Sequence, residues 1–527
     1  MLDQRQSVKQ LEIDCSIALD DAWSVVLGKA CIVLAPTARN RMAAAHGRLS
    51  DAVEMQRHVY GITTGFGPLA NRLVPTSDVA LLQQNLVYHL ASGVGPAFSW
   101  VEARAIVFAR LMAILQGASG ASPAAVDTLV RVLNSEFAPR IPQQGTVGAS
   151  GDLTPLAHMV LALQAEGDFI LRDETRIGGS EALDSMGLRP LSLHNRDALA
   201  LVNGTSAMTG LALVAWARAG RVSDWSVALT AALADVLLAR LEAWNPAFAA
   251  LRPHPGQIWA TDALTARAKT GGGFIRTPIS ERILTELDAP MSEERAGQDA
   301  YTLRCAPQVI GAVKDTCLWH RSVLETELTS VTDNPVFPEA VEGALHGGNF
   351  MGQHIGLVSD ALSLGVGVLA GFHERQVARL TDETMNRGLP PFLQKGTAGL
   401  NSGFMGAQVT ATALTAEIRS VGPASIHSIS TNGANQDVVS MGTIAARATI
   451  QKLELTSKIQ SILAMAVAQA MELRCERDPG YQPAPWTEAV ATQVRTVSAA
   501  VERDRPLGAD IEAVAKLIFD IDPPQAA

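Results

Sequence analysis

Tyrosine is scarce in this chain, with four in 527 residues, and all aromatic residues together reach only 5%. Sheets draw heavily on aromatic and β-branched side chains, so this scarcity, beside abundant Ala and Leu, favours closely packed helices. Charge is sparse too, at 18% of residues, and the net value is −10. With no dense Lys/Arg run and no basic amphipathic stretch, nucleic acid and anionic membrane are poor main partners. Cysteine is limited to Cys15, Cys31, Cys305, Cys317 and Cys475, without a CxxC pair, which fits a reducing compartment. No P-loop, dinucleotide fingerprint or HExxH helix occurs, and no metal site is expected. Gly271-Gly272-Gly273 has neither a helix cap nor a lysine placed to hold phosphate. The first residues, Met1 to Asp14, are polar and mixed in charge, unlike a secretory signal. Ala198 to Ala217 carries no charge and has membrane-spanning length, but Asn203, Gly204, Thr205, Ser206 and Thr209 would be costly in lipid. A buried helix entry suits that run better, and the expectation is a soluble, cytoplasmic protein.

What the chain has in quantity is apolar helix. Hydrophobic residues make up 47%, enough for a large core. Helical periodicity predicts helices over 101–116, 205–244 (with a bend near Gly220), 312–331, 350–380, 403–419 and 435–474. The long ones are apolar on several sides, the pattern of a bundle with subunit contacts as well as an internal core. The first 195 residues read as shorter helices with more turns, and a break near 190–197 divides the chain into 1–195 and 196–527. Residues 251–300, richer in Pro, Gly and charge, read as a surface excursion with a mobile stretch.

The most informative segment is Gly145-Thr146-Val147-Gly148-Ala149-Ser150-Gly151-Asp152-Leu153-Thr154-Pro155-Leu156-Ala157. Three small residues, Ala149, Ser150 and Gly151, stand before a helix start that reads as Thr154 N-cap and Pro155 first position. Backbone N–H groups and the positive helix end point towards the tripeptide. Small side chains let the Gly151 nitrogen approach the Ala149 carbonyl. Ring closure there, with loss of two waters including the Ser150 hydroxyl, would leave an exocyclic methylene electrophile. The tripeptide alone is a weak signal, because Ala118-Ser119-Gly120 repeats it before Ser122-Pro123 as an ordinary interhelical turn. A nucleophile elbow fails as well, since Asp152 stands where the second Gly is needed and a loop replaces the strand.

The frame around the second copy resembles the signature of the aromatic amino acid ammonia-lyases and related aminomutases. Tyr60-Gly61-Ile62-Thr63-Thr64-Gly65-Phe66-Gly67, Leu201-Val202-Asn203-Gly204-Thr205, Gln298 to Arg304, Thr332-Asp333-Asn334-Pro335, Gly347-Gly348-Asn349-Phe350 and Asn435-Gln436-Asp437 match in family order. The resemblance implies an all-α fold of the fumarase/aspartase/histidine ammonia-lyase type, with an N-terminal domain bearing the electrophile. It implies a homotetramer whose active sites draw on three subunits. The prosthetic group would be 4-methylidene-imidazol-5-one (MIO), formed from Ala149-Ser150-Gly151 with no external cofactor.

Roles carry over residue by residue. Tyr60 would be the base that takes a proton from the carbon beside the ring, so its phenol must be acidified from about 10. Arg304 would grip the substrate carboxylate as a planar fork, with Asn334 helping. Tyr301 and Phe350 come from matching blocks and would contact substrate. Asn203 would orient the MIO carbonyl, although a plain N-cap remains open. Gln436, with Asn432 and Asn435, would lie near Tyr60, or else form a cap cluster at the last long helix. The pair His89-Leu90 matches the family's choice for tyrosine, and an imidazole can share a hydrogen bond with a phenol. The expected reaction is elimination of ammonia from L-tyrosine to give trans-p-coumarate. Phenylalanine or histidine elimination, a tyrosine 2,3-aminomutase and a non-catalytic helical scaffold are the alternatives.

Overall fold

The computed structural model describes residues 9–269, 271–276, 298–397 and 399–525. They form two compact units. The first comprises Met1–Ala217, His320–Asp360 and Pro423–Ala448; the second holds Arg218–Trp319, Ala361–Gly422 and Thr449–Ala527.

In the first unit, Ser99 and Glu102 open the Trp100–Leu115 helix with a reciprocal cap, each side chain accepting from the other's backbone N–H. Every residue from Glu102 to Leu115 is buried, so this helix is the centre of the core and shows no polar face. The Arg104 guanidinium survives there by donating to the carbonyls of Val25, Val26, Leu133 and Ser135. Burial pulls its pKa down to about 10, still well above neutrality. Ser122 caps Pro123–Leu133, so Ala118-Ser119-Gly120 is the interhelical turn that its residues predict. Among the described residues, three small sheets flank these helices, and their strands of two to five residues carry no period that a sequence could reveal.

The expected membrane-length run divides at Asn203 into Asp197–Val202 and the start of Ser206–Val236, and residues 198–215 are all buried. That 31-residue helix runs unbroken through Gly220. A single boundary near 195 does not describe the contacts. The chain returns to the first unit at 320–360 and 423–448, because Asn334, Ser440 and Thr443 supply hydrogen bonds around the Ala149-Ser150-Gly151 loop.

The second unit is helix on helix, including Pro255–Ala268, Met405–Ser420, Pro485–Arg495 and Gly508–Asp520. Gln353–Thr381, which enters this unit at Ala361, has the length and composition of a membrane span. Here it instead buries His373 and Gln376 against Ser226, Thr230 and Gln460. Of the expected surface excursion at 251–300, residues 270 and 277–297 lie outside the described residues.

Candidate active site

Gly151 sets the geometry of the loop. Its φ is +69°, and an added Cβ would lie 2.1 Å from the Gly204 carbonyl oxygen, so only glycine fits. Ala149 and Gly151 pair as a bridge, and Gly151 pairs again with Gly204. The Asp152 N–H donates to that Gly204 carbonyl at 2.8 Å. Thr154 is not the cap that the sequence suggests: the helix begins earlier, as Leu153–Leu163. Asp152 does not cap locally either, because its carboxylate accepts from the Met208 N–H at 2.8 Å and from the Thr443 hydroxyl. Burial raises the Asp152 carboxyl to about 6 against the opposing pull of those donors. Met441 N–H donates to the Val147 carbonyl, closing the other side of the loop.

Two amides meet Ser150. Asn203 Nδ2 donates to its carbonyl at 3.0 Å and Gln436 Nε2 to its hydroxyl at 2.9 Å. Asn203 is therefore no plain N-cap. It is 4% exposed, its Oδ1 accepts from the Asn334 N–H, and its own carbonyl accepts from Arg110. Asn334 is steadied in turn by Asp333, whose carboxylate forms a fully buried ion pair with Arg196 at 2.7 Å. Gln436 is not in the last long helix, which starts only at Gly442. It closes a tight turn with Thr431 that carries Asn432 and Asn435, so the cap-cluster alternative fails.

Tyr60 sits half-buried on a loop pinned at several points. Thr63 accepts from the Val59 N–H, Thr64 from the Gly61 N–H, and His346 Nε2 from the Tyr60 N–H. The Gly67 N–H donates to Tyr60 Oη at 2.8 Å, a bond that strengthens as that oxygen gains charge. The ring meets Phe66 edge-on, and Phe66 in turn lies 6.5 Å from the His89 ring. His89 Nδ1 is 2.9 Å from the Asn85 carbonyl. A carbonyl can only accept, so Nδ1 carries the proton and Nε2 is left as an acceptor.

One cavity of about 970 Å³ joins Tyr60, His89, Leu90, Ala149, Ser150 and Asn203 with Asn334, Phe350, Asn432, Asn435 and Gln436. All of these belong to the first unit. Tyr301 and Arg304 do not line it. They lie in the second unit, on a separate cavity of about 420 Å³ with Arg240, Gln298 and Asp299. Arg304 stacks 4.6 Å above the Tyr301 ring and bonds Gln298, while Tyr301 is 69% exposed. Sequence reasoning missed Asp152 and Gly67 as working parts of the site. The Asp that breaks the nucleophile-elbow pattern was a visible signal for the first. Among the described residues no cluster of His, Cys, Asp or Glu could hold a metal.

The chain is 58% identical over 515 residues to a tyrosine ammonia-lyase of Cereibacter sphaeroides, covering 97% of this chain and 98% of that one. It is 39% identical over 465 residues to a MIO-dependent tyrosine 2,3-aminomutase of Streptomyces globisporus, covering 87% and 85%. A crystal structure of tyrosine aminomutase from Streptomyces globisporus superposes with a TM-score of 0.91 at 35% identity, over 97% of each chain. Residues 17–496 match the aromatic amino acid lyase family, and to that family this chain belongs.

Proposed function

We propose that the protein eliminates ammonia from L-tyrosine to give trans-p-coumarate, with Ala149-Ser150-Gly151 cyclised to MIO. The observation that carries this reading is one cavity lined by the Ser150 loop, Tyr60 and His89, whose Nδ1 is engaged by the Asn85 carbonyl. The tripeptide fits the group: Gly151 has no room for a side chain, the loop already pairs Ala149 with Gly151, and Asn203 meets the Ser150 carbonyl, the oxygen that ring closure retains. When formed, the group supplies an electrophile that turns the substrate amine into a better leaving group.

The rest of the chemistry falls to side chains. Tyr60 Oη takes the β-proton, and the electron pair of that C–H bond becomes the new double bond as the C–N bond breaks. Tyr60 acts as the phenolate, its own proton having passed to solvent beforehand, and the Gly67 N–H supports that charged oxygen until the β-proton arrives. His89 accepts from the substrate phenol, and Leu90 packs beside the ring. Asn203 would hold the Ser150 carbonyl, the oxygen that ring closure retains, while Gln436 meets the hydroxyl that ring closure expels.

The carboxylate is held by Arg304, with Tyr301 beside it, and we place both in the site of a neighbouring subunit of a homotetramer. Their position on another cavity, with Tyr301 largely exposed, supports that assignment. A cytoplasmic working place is part of the same proposal; five free thiols support it, and fractionating the producing cells checks it.

Intact mass and product analysis test the whole reading. The mature chain should weigh two waters less than its sequence, and Ser150→Ala should abolish both the deficit and the activity. Ser119→Ala should change neither. Tyrosine should yield p-coumarate in preference to β-tyrosine, and phenylalanine and histidine should react more slowly. Full mass with full activity would sink the electrophile; β-tyrosine as the main product would make the chain an aminomutase, as its Streptomyces relative is named.

A further inference from the structure

Gln83 has no part in the chemistry above, yet it is fully buried in the Val79–Leu90 helix. Both ends of its amide are in use. Nε2 donates to the Gly61 carbonyl at 2.9 Å, and Oε1 accepts from the Leu199 N–H at 3.1 Å. Gly61 follows Tyr60 directly. Leu199 continues the connection, because its carbonyl accepts from the Asn203 N–H at 2.9 Å, and Asn203 Nδ2 reaches the Ser150 carbonyl at 3.0 Å. A continuous line of hydrogen bonds therefore runs from the residue beside Tyr60 to the tripeptide. Contact reinforces it: a Cβ on Gly61, where φ is +70°, would meet the Leu199 side chain at 2.7 Å and the Phe66 ring at 2.6 Å. The same helix carries His89 and Leu90 near its end.

From this arrangement we infer that Gln83 is a positioning residue for the elimination. It registers three segments against one another: the Tyr60 loop, the helix leading to Asn203, and the helix bearing His89. The inference rests on the reading of Tyr60 as base and Ser150 as electrophile precursor. An apolar side chain at this position would leave the Gly61 carbonyl and the Leu199 N–H buried without partners. The loop then recovers its bonds by shifting, and a displacement of about 1 Å in a reacting group costs about 10²-fold in rate.

Gln83→Met is the test, read four ways on the purified full-length protein. The mass deficit should persist, since Asn203 still reaches Ser150. KM for tyrosine should stay near the parent value, because His89 keeps its Asn85 bond. The turnover number should fall about 10²-fold, and the isotope effect on kcat with β-deuterated tyrosine should rise as proton transfer becomes slower. Parental kcat with an unchanged isotope effect would overturn the proposal. So would a joint loss of mass deficit, KM and kcat in a folded variant, which would mark a merely structural glutamine. If Gln83→Met does not fold, Gln83→Glu decides, since it keeps the shape and the acceptor for Leu199 N–H. It should lose kcat while keeping KM, and parental kcat in that variant refutes the role. Failure of the underlying reading has its own signature, a Tyr60→Phe variant that still turns over.

Discussion

His89 shows how a single proton position sets a preference. With Nδ1–H committed to the Asn85 carbonyl, the ring offers only an acceptor to the cavity. Para substituents that donate should therefore be favoured, so kcat/KM for 4-aminophenylalanine should exceed that for 4-fluorophenylalanine. The reverse order would mean that Nε2 carries the proton. His89→Phe should lower kcat/KM for tyrosine and raise it for phenylalanine. Sites that bond a substrate hydroxyl discriminate by up to about 10⁴–10⁵, and an exposed histidine able to meet water should fall well short of that. Tyr60→Phe keeps the packing against Phe66 but removes the acceptor of the Gly67 N–H, so kcat should collapse in a protein that melts normally. A variant with parental turnover would place the base elsewhere. Tyr60 and Ser150 were legible because short motifs frame them. Asp152's partners were not, since Met208 is 56 residues away and Thr443 is 291.

Elements were easier to find than to end. The long helices announced themselves through periodic apolar residues, and the Gln353–Thr381 and Met405–Ser420 helices fall within a few residues of expectation. Their starts did not, because competition for backbone donors decided them. At Leu153 the helix begins without Thr154 as cap, and the last long helix waits until Gly442 because Thr431 and Gln436 close a turn first. One helix carries a residue with a measurable liability. His320, on Ala306–Leu328, is fully buried, and neither ring nitrogen meets a partner among the described residues. Burial lowers its pKa to about 4. An unfolded imidazole binds a proton below about 6.5, while the folded one resists until about 4. The unfolded state thus binds more protons across that window, so stability is present above it and is lost as pH falls through it. His320→Leu should melt at or above the parental temperature at pH 7.5 and lose less on going to pH 5. An equal acid loss in both proteins would clear His320 of any part in it.

At the scale of the molecule, the sequence could show that apolar helix surface was in excess but not how the chain distributes its site. Residues from 60 to 438 line one cavity, whereas Tyr301 and Arg304 line another, and no boundary drawn along the sequence anticipates that split. If neighbouring subunits complete each site, two dead variants should rescue one another. Ser150→Ala and Arg304→Leu, each inactive alone, should regain part of the parental activity when dissociated and reassembled together, because some sites then receive an intact half from each. No recovery in verified mixed oligomers would refute the shared site. The Gly151–Gly204 contact bears finally on time. Gly204 is already far along the chain, and Thr443 and Met441, which close the same loop, come later still. A ribosome must release nearly the whole chain before the tripeptide can be squeezed into its ring-forming shape. Newly made protein should hence pass through a folded but chemically immature stage, in which native helicity precedes the loss of mass and activity arrives last, after a lag.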